Sequence, residues 1–215
     1  MKSAYVQGER FSAENYGDLA VAVLAGGASR RFGADKALIQ ICPGGLTLIE
    51  RVIDIGRSLC AEVFIVGHER YAHVVTDVPI VPDGHPGRGP LEGIRKALQF
   101  ASAPRVLLLA CDMPCLSSSL LQAMGNCNSS ADVILARTDD GRWQPMPGIY
   151  RRSALPAIER ALRDGPCAVS SIFADVTVHE LSEPELRKID PALNSLFSVN
   201  RPEDLDRARR CVRCN

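Results

Sequence analysis

The stretch LAVAVLAGGASRRFGADK, residues 19–36, joins a short apolar run to a loop of glycines and cations, and its reading decides the fold. Leu19 to Ala25 are apolar without interruption, as expected of a strand buried on both faces. Such strands belong to sheets covered by helices on both sides. At Gly26 the character changes. The pair Gly26-Gly27 lets the backbone turn sharply and present N–H groups to an anion with no Cβ in the way. Arg30, Arg31 and Lys36 then place three positive charges within seven residues. Arginine supplies planar forks for phosphate oxygens and lysine a point charge. A polyphosphate is the natural guest, although a solvated basic turn would also fit the loop taken alone.

Two familiar phosphate motifs are absent. Gly33 is followed by Ala34-Asp35-Lys36, which breaks the GxxxxGK[ST] pattern, and no GxGxxG follows the strand. The loop is neither an ordinary P-loop nor a dinucleotide fingerprint.

Outward from this loop the elements alternate. A helical pattern runs from Thr47 to Leu59, with Thr47 and Glu50 spaced as a capping box. Strands are predicted at Glu62 to Val66 and Val78 to Val81, then a helix from Leu91 to Ala101. Arg105 to Ala110 is another continuous apolar run, and Ser117 or Ser118 can cap a helix reaching Met124. Asp132 to Ala136 reads as a strand. Gln144 to Tyr150 reads as a strand whose prolines place it on a sheet edge. A helix over Ser153 to Arg163, a strand over Asp175 to Leu181 and an amphipathic helix over Pro202 to Cys211 complete the chain. Repeated β-loop-α units predict a single-domain α/β fold: a Rossmann-like, doubly wound, mostly parallel sheet. Ligands in such folds sit beyond the C-terminal ends of the strands. Residues 26–36, 83–93 and 111–114 all fall there.

Composition narrows the function classes. A chain of 215 residues with 46% apolar and 23% charged residues suits one globular domain. Lys plus Arg equals Asp plus Glu at 25 each, which argues against non-specific binding to nucleic acid or acidic membranes. Residues 1–18 lack the apolar core of a signal peptide, and no later run reaches membrane-spanning length. A cytoplasmic protein is expected, with a domain over 19–212, a flexible tail at 1–18 and a short one at 213–215. The eight cysteines are scattered; Cys211 and Cys214 form a CxxC without a second pair or nearby histidines to complete a zinc site. Ordinary thiols in a reducing compartment are expected. The four histidines form no catalytic set by spacing.

Four further segments join the first loop. They are Asp83 to Ile94 (DGHPGRGPLEGI), Cys111-Asp112-Met113-Pro114, Gln144-Pro145 with Gly148-Ile149-Tyr150, and Val199 to Leu205 (VNRPEDL). With Leu24 to Lys36 matching LAGGxSxRFGxDK, the five in order resemble the MobA-type molybdenum cofactor guanylyltransferases of the nucleotidyltransferase superfamily. The resemblance covers nearly the whole chain after residue 19. It implies a nucleotide-diphospho-sugar-transferase-like fold and transfer of GMP from GTP to the phosphate of Mo-molybdopterin, with release of pyrophosphate.

The resemblance also implies residue roles. Arg31, Lys36 and Asp112 would be catalytic. Leu24, Ala25, Gly26, Gly27, Lys36, Asp83, Gly89, Pro90, Leu91 and Asp112 would line the nucleotide, and Asp112 with Asn200 would hold Mg2+. Asp112 suits this as a hard oxygen donor at a strand end, although a turn or capping aspartate would look the same locally. Pro90 fits the first turn of a helix, where its missing N–H costs nothing, and Arg88 offers a further cation to anions or to water. Two positions depart from the family pattern: Ser198 stands where an asparagine is common, and Val66 where some members carry a nucleotide-contacting asparagine. Apo-molybdoenzymes or their chaperones are the further partners implied. The alternatives are cytidylyl transfer to the same cofactor, a sugar-nucleotide pyrophosphorylase, and a non-catalytic nucleotide- or cofactor-binding protein.

Overall fold

Along the first strand, β1 (Leu19–Ala25), alternate side chains enter different layers. Leu19, Val21, Val23 and Ala25 face one core, whereas Ala20 and Ala22 face another. The same split holds for Val63 and Ile65 against Phe64 and Val66 in β2 (Val63–Gly67), and for Leu107 and Leu109 against Val106 and Leu108 in β4 (Arg105–Ala110). Period-two alternation of apolar residues, broken only by the buried Arg105 at the start of β4, requires a cover on each side of the sheet. α1 (Leu48–Arg57), α3 (Ser118–Gly125) and α5 (Glu183–Ile189) supply Ile49, Val52, Ile53, Leu120, Leu121, Met124 and Leu186 to the first layer. α2 (Pro90–Phe100) and α4 (Leu155–Arg163) supply Leu91, Ile94, Leu98, Ile158 and Leu162 to the second. The computed structural model describes residues 16–26, 32, 35–84, 88–163, 165 and 168–212.

The remaining strands are β3 (Ile80–Pro82), β5 (Val133–Arg137), β6 (Trp143–Arg151) and β7 (Val178–Ser182), and the seven lie in the order β3-β2-β1-β4-β6-β5-β7. All neighbouring pairs are parallel except those of β6 with β4 and with β5. The doubly wound, mostly parallel sheet expected from the sequence is present. So is the capping box at Thr47: its amide donates to Glu50 Oε2 at 2.8 Å and its hydroxyl accepts from the Glu50 amide. A last helix, α6 (Asp204–Val212), packs beside Ile41, Leu48 and Val199 in a small third cluster. No helix among the described residues is long and apolar enough to cross a membrane.

Two expectations are corrected. β6 is not an edge strand: it lies between β4 and β5. Leu135 pairs with Gly148 while Ala136 pairs with Gln144, so Pro145, Met146 and Pro147 bulge out of the ladder, where no backbone N–H is asked of a proline. The thiol expectation holds for Cys60, Cys111, Cys115, Cys127 and Cys211, but Cys42 is disulfide-bonded.

The bulge makes Gly148 sensitive. A Cβ there would stand 2.5 Å from Leu135 Cδ2 and 2.6 Å from the Pro145 carbonyl oxygen, and the second neighbour is backbone. Gly148→Ala should destabilise the fold by about 1–3 kcal/mol through overpacking, read as a lowered urea midpoint at an unchanged m-value.

Candidate active site

The strand order reverses direction between β1 and β4, so their C-terminal ends open onto the crevice where ligands of such sheets bind. The two ends are tied together: the Cys111 amide donates to the Leu24 carbonyl at 3.1 Å, and the Met113 amide turns back to Ala110 at 3.2 Å. That turn carries Asp112. Its backbone carbonyl accepts from the Val199 amide at 2.8 Å, which brings the C-terminal segment to the same edge.

Lys36 completes the junction. It opens a one-turn 3-10 helix, Lys36–Leu38, and its ammonium forms an ion pair with Asp112 Oδ2. The same Nζ lies 3.5 Å from the Val199 carbonyl oxygen. The Lys36 and Asp112 side chains are 19% and 13% exposed, so the pair is shielded yet reachable by a ligand. Residues far apart in sequence thus present one cation and one carboxylate at a strand end.

Asp83 is placed by the other side of the sheet. Its amide donates to Gly67 at 3.3 Å, just past the pairing of β2 with β3. Its carboxylate faces Gly26: a Cβ on that glycine would stand 3.0 Å from Asp83 Oδ2. Gly67 is equally constrained, because a Cβ there would fall 2.8 Å from the Ala25 carbonyl oxygen. The glycine after Val66 therefore lets β2 approach β1 at the site, while Val66 itself is buried in the second layer.

α2 begins beside this group. Gly89 is its N-cap, with φ of 79°, a backbone conformation that favours glycine, and Pro90 occupies the first turn. Leu91 is fully buried and Leu24 is half-buried against Gly93. The Leu91 side chain serves the core, and its backbone is the part available to a ligand. Arg88 does not point to an anion: its Nη2 donates to the Leu162 carbonyl at the end of α4.

Asn200 lies at the edge next to Val199. Its amide and that of Arg201 both donate to Asp204 Oδ2, at 2.7 and 2.8 Å, and its side chain donates to the Ser198 carbonyl at 3.4 Å. Gly27 and Arg31 lie outside the described residues. Lys36, Asp83, Asp112 and Asn200 thus come to one edge with Leu24, Ala25, Gly26, Gly89, Pro90 and Leu91 around them.

The donor set fits a hard divalent cation. Asp112 offers carboxylate oxygen and the neighbouring segment offers the Asn200 amide oxygen. Such ions take one or two carboxylates and complete their shell with phosphate and water. Among the described residues there is no group of three or more His, Cys, Asp or Glu that could hold a metal ion. Burial pushes the Cys111 thiol up to about 12, so it stays neutral beside Asp112 and is a packing group.

Some neighbours of the site were missed from sequence. Asp35 caps the turn that carries Lys36, and Arg70 and Tyr71 hold Asp35. Lys96 lies over Gly84, with Cε 2.8 Å from where a Cβ would stand. Neither Arg70, Tyr71 nor Lys96 lies in a glycine motif, and only the packing of α2 and of the turn after β2 brings them in.

The chain is similar to known proteins along most of its length. The family model "MobA-like NTP transferase domain" matches residues 21–178. A protein of Pelotomaculum thermopropionicum named "Probable molybdenum cofactor guanylyltransferase" is 36% identical over 187 residues, covering 87% of this chain and 90% of its own. The "Molybdenum cofactor guanylyltransferase" of Desulfosudis oleivorans is 30% identical over 192 residues, covering 89% and 94%. The crystal structure of molybdopterin-guanine dinucleotide biosynthesis protein A from Archaeoglobus fulgidus superposes with a TM-score of 0.76 at 29% identity, covering 89% of this chain and 97% of that one. With the family model matched across most of its length, the chain belongs to the MobA-like NTP transferase family.

Proposed function

We propose that the protein transfers GMP from GTP to the terminal phosphate of Mo-molybdopterin and releases pyrophosphate. The observation that carries this reading is the junction of Lys36 with Asp112 at the β1–β4 switch point, in a chain of this family. An oxygen of the acceptor phosphate forms a bond to the α-phosphorus of GTP while the bond from that phosphorus to the bridging oxygen breaks. Negative charge builds on the pyrophosphate that leaves. The chain has little proton chemistry to do, since such transfer depends chiefly on positioning and charge neutralisation.

Lys36 holds the triphosphate with the Gly26 backbone, and Gly27 and Arg31, which lie outside the described residues, are the further phosphate contacts the sequence suggests. Asp112 and Asn200 would hold Mg2+, and that ion would supply Lewis-acid polarisation. In the absence of substrate the Lys36–Asp112 pair keeps both charges compensated. Gly26 keeps the space between the strand end and Asp83 open. Asp83 is the residue we assign to the base. Guanine offers its ring N–H and amino donors on one edge to a carboxylate, whereas cytosine offers an amino group alone, which favours GTP. Gly89, Pro90 and Leu91 present backbone to the nucleoside. GTP and Mo-molybdopterin are the substrates and the cytoplasm is the compartment proposed, with an apo-molybdoenzyme or its chaperone receiving the product.

Pyrophosphate release from each of the four NTPs, with and without molybdenum-loaded acceptor, tests the reaction. Release should need GTP, the acceptor and Mg2+ together. Release from CTP instead would make the protein a cytidylyltransferase, and nucleotide binding without release would make it a carrier. Lys36→Ala should lower the rate about tenfold to a hundredfold, the loss of one charged hydrogen bond used in the transition state. A wild-type rate in that variant contradicts the role given to Lys36. Gly26→Ala should weaken GTP binding about tenfold by pushing on Asp83, at the cost of one charged contact, while leaving the melting temperature of the nucleotide-free protein nearly unchanged. Calorimetric titration with GTP checks this.

A further inference from the structure

Lys36 must hold its ammonium at one place, yet the turn that carries it is weak. Lys36–Leu38 is a single 3-10 turn, too short to be stable by its own hydrogen bonds. What fixes its start is Asp35. Asp35 Oδ1 accepts from the Ala37 amide at 3.2 Å, closing the cap.

That carboxylate is itself held. The Tyr71 hydroxyl donates to Asp35 Oδ1 at 3.3 Å, and Arg70 Nε lies 2.8 Å from Asp35 Oδ2. Arg70 Nη2 donates in turn to the Tyr71 hydroxyl at 3.2 Å, so the three side chains form a closed ring. The ring is anchored on the sheet side. Tyr71 is 2% exposed and belongs to the first core layer. Its carbonyl accepts from the Val75 amide at 2.9 Å, and its 3-10 helix, Glu69–His73, begins directly after β2. Burial raises the Tyr71 phenol to about 12, so it stays protonated and remains a donor to Asp35 throughout the neutral range.

We propose that Tyr71 and Arg70 are positioning residues for transfer, acting through Asp35 to hold Lys36 where the triphosphate is neutralised. Neither touches substrate. The ring transmits the rigidity of the β1–β2 core to a catalytic cation mounted on a single turn. A positioned charge contributes more at the transition state than a mobile one of the same sign, because it needs no reorganisation when charge moves. The proposal rests on the reading of Lys36 as the triphosphate-binding cation.

The test is a double-mutant cycle on the full chain, followed by GTP-dependent pyrophosphate release. Tyr71→Phe keeps the ring buried and removes only the hydroxyl. It should lower kcat about tenfold, the size of one hydrogen bond to a charged group, with KM for GTP changed less than about twofold, since the Lys36 charge remains. In a Lys36→Ala background the same change should cost almost nothing, because coupled residues lose their effect together. Equal losses in both backgrounds would show that Tyr71 acts independently of Lys36 and overturn the proposal, as would a Tyr71→Phe variant with wild-type kcat. Should Tyr71→Phe fold poorly, Arg70→Met at a half-exposed side chain repeats the cycle, and Arg70→Lys should recover part of kcat by restoring a cation beside Asp35. A rise in KM alone in Arg70→Met would make Arg70 a direct phosphate contact and also overturn it. A wild-type protein that releases no pyrophosphate from any NTP fails the proposed reaction itself, which separates the two failures.

Discussion

The parallel pairing of β1 with β4, from Leu19 opposite Arg105 to Leu24 opposite Ala110, is the constraint on which the rest of the site depends. It sets Gly26 and Asp112 at the same level on one sheet edge. Each of these strands is apolar on both sides, so a slip by one residue would exchange the two cores. The register is therefore held by the packing of both layers. Catalytic geometry inherits its precision from that packing.

The C-terminal segment reaches the same edge by a different route. Val199 is fully buried in the small cluster with Ile41, Leu48 and Ala208, and its amide bonds the Asp112 carbonyl at 2.8 Å. The cluster links the start of α1, the turn after Lys36 and α6. Asp204 holds the Asn200 and Arg201 amides with one carboxylate oxygen, which fixes where Asn200 leaves the cluster. The site is thus closed by residues from both ends of the sequence. The Lys36 ammonium, within reach of Asp112 and Val199 together, sits where these routes meet.

Most of the architecture was legible in the sequence because strand burial and helix caps are local signals. LAVAVLA and RVLLLA are apolar on both faces, and Thr47 with Glu50 forms the predicted box. Asp83 and Asp112 stand just past strand ends and Lys36 in the cationic loop, but the roles expected of the two aspartates rested on the resemblance rather than on position. The position of β6 was not legible: its prolines suggested an edge, and only the two-versus-five step in register with β5 shows how an interior strand sheds them. Arg88 sits in a glycine-rich loop, which invited an anion role, but a carbonyl at the end of α4 takes its guanidinium. Asp35 stood in the first motif without a role, and Arg70 and Tyr71 carried no signal, because their ring joins turns thirty-odd residues apart, a tertiary relation with no periodicity to betray it.

The central claim is that a divalent ion and the triphosphate meet at the Lys36–Asp112 junction. Electron paramagnetic resonance with Mn2+ in place of Mg2+ reads this directly, because protein-bound and free Mn2+ are distinguished in the presence of GTP. Wild-type protein should hold Mn2+ in a ternary complex with GTP, and Asp112→Asn should lose that bound signal while keeping the folded melting transition. Undiminished Mn2+ binding with GTP in Asp112→Asn would contradict the account.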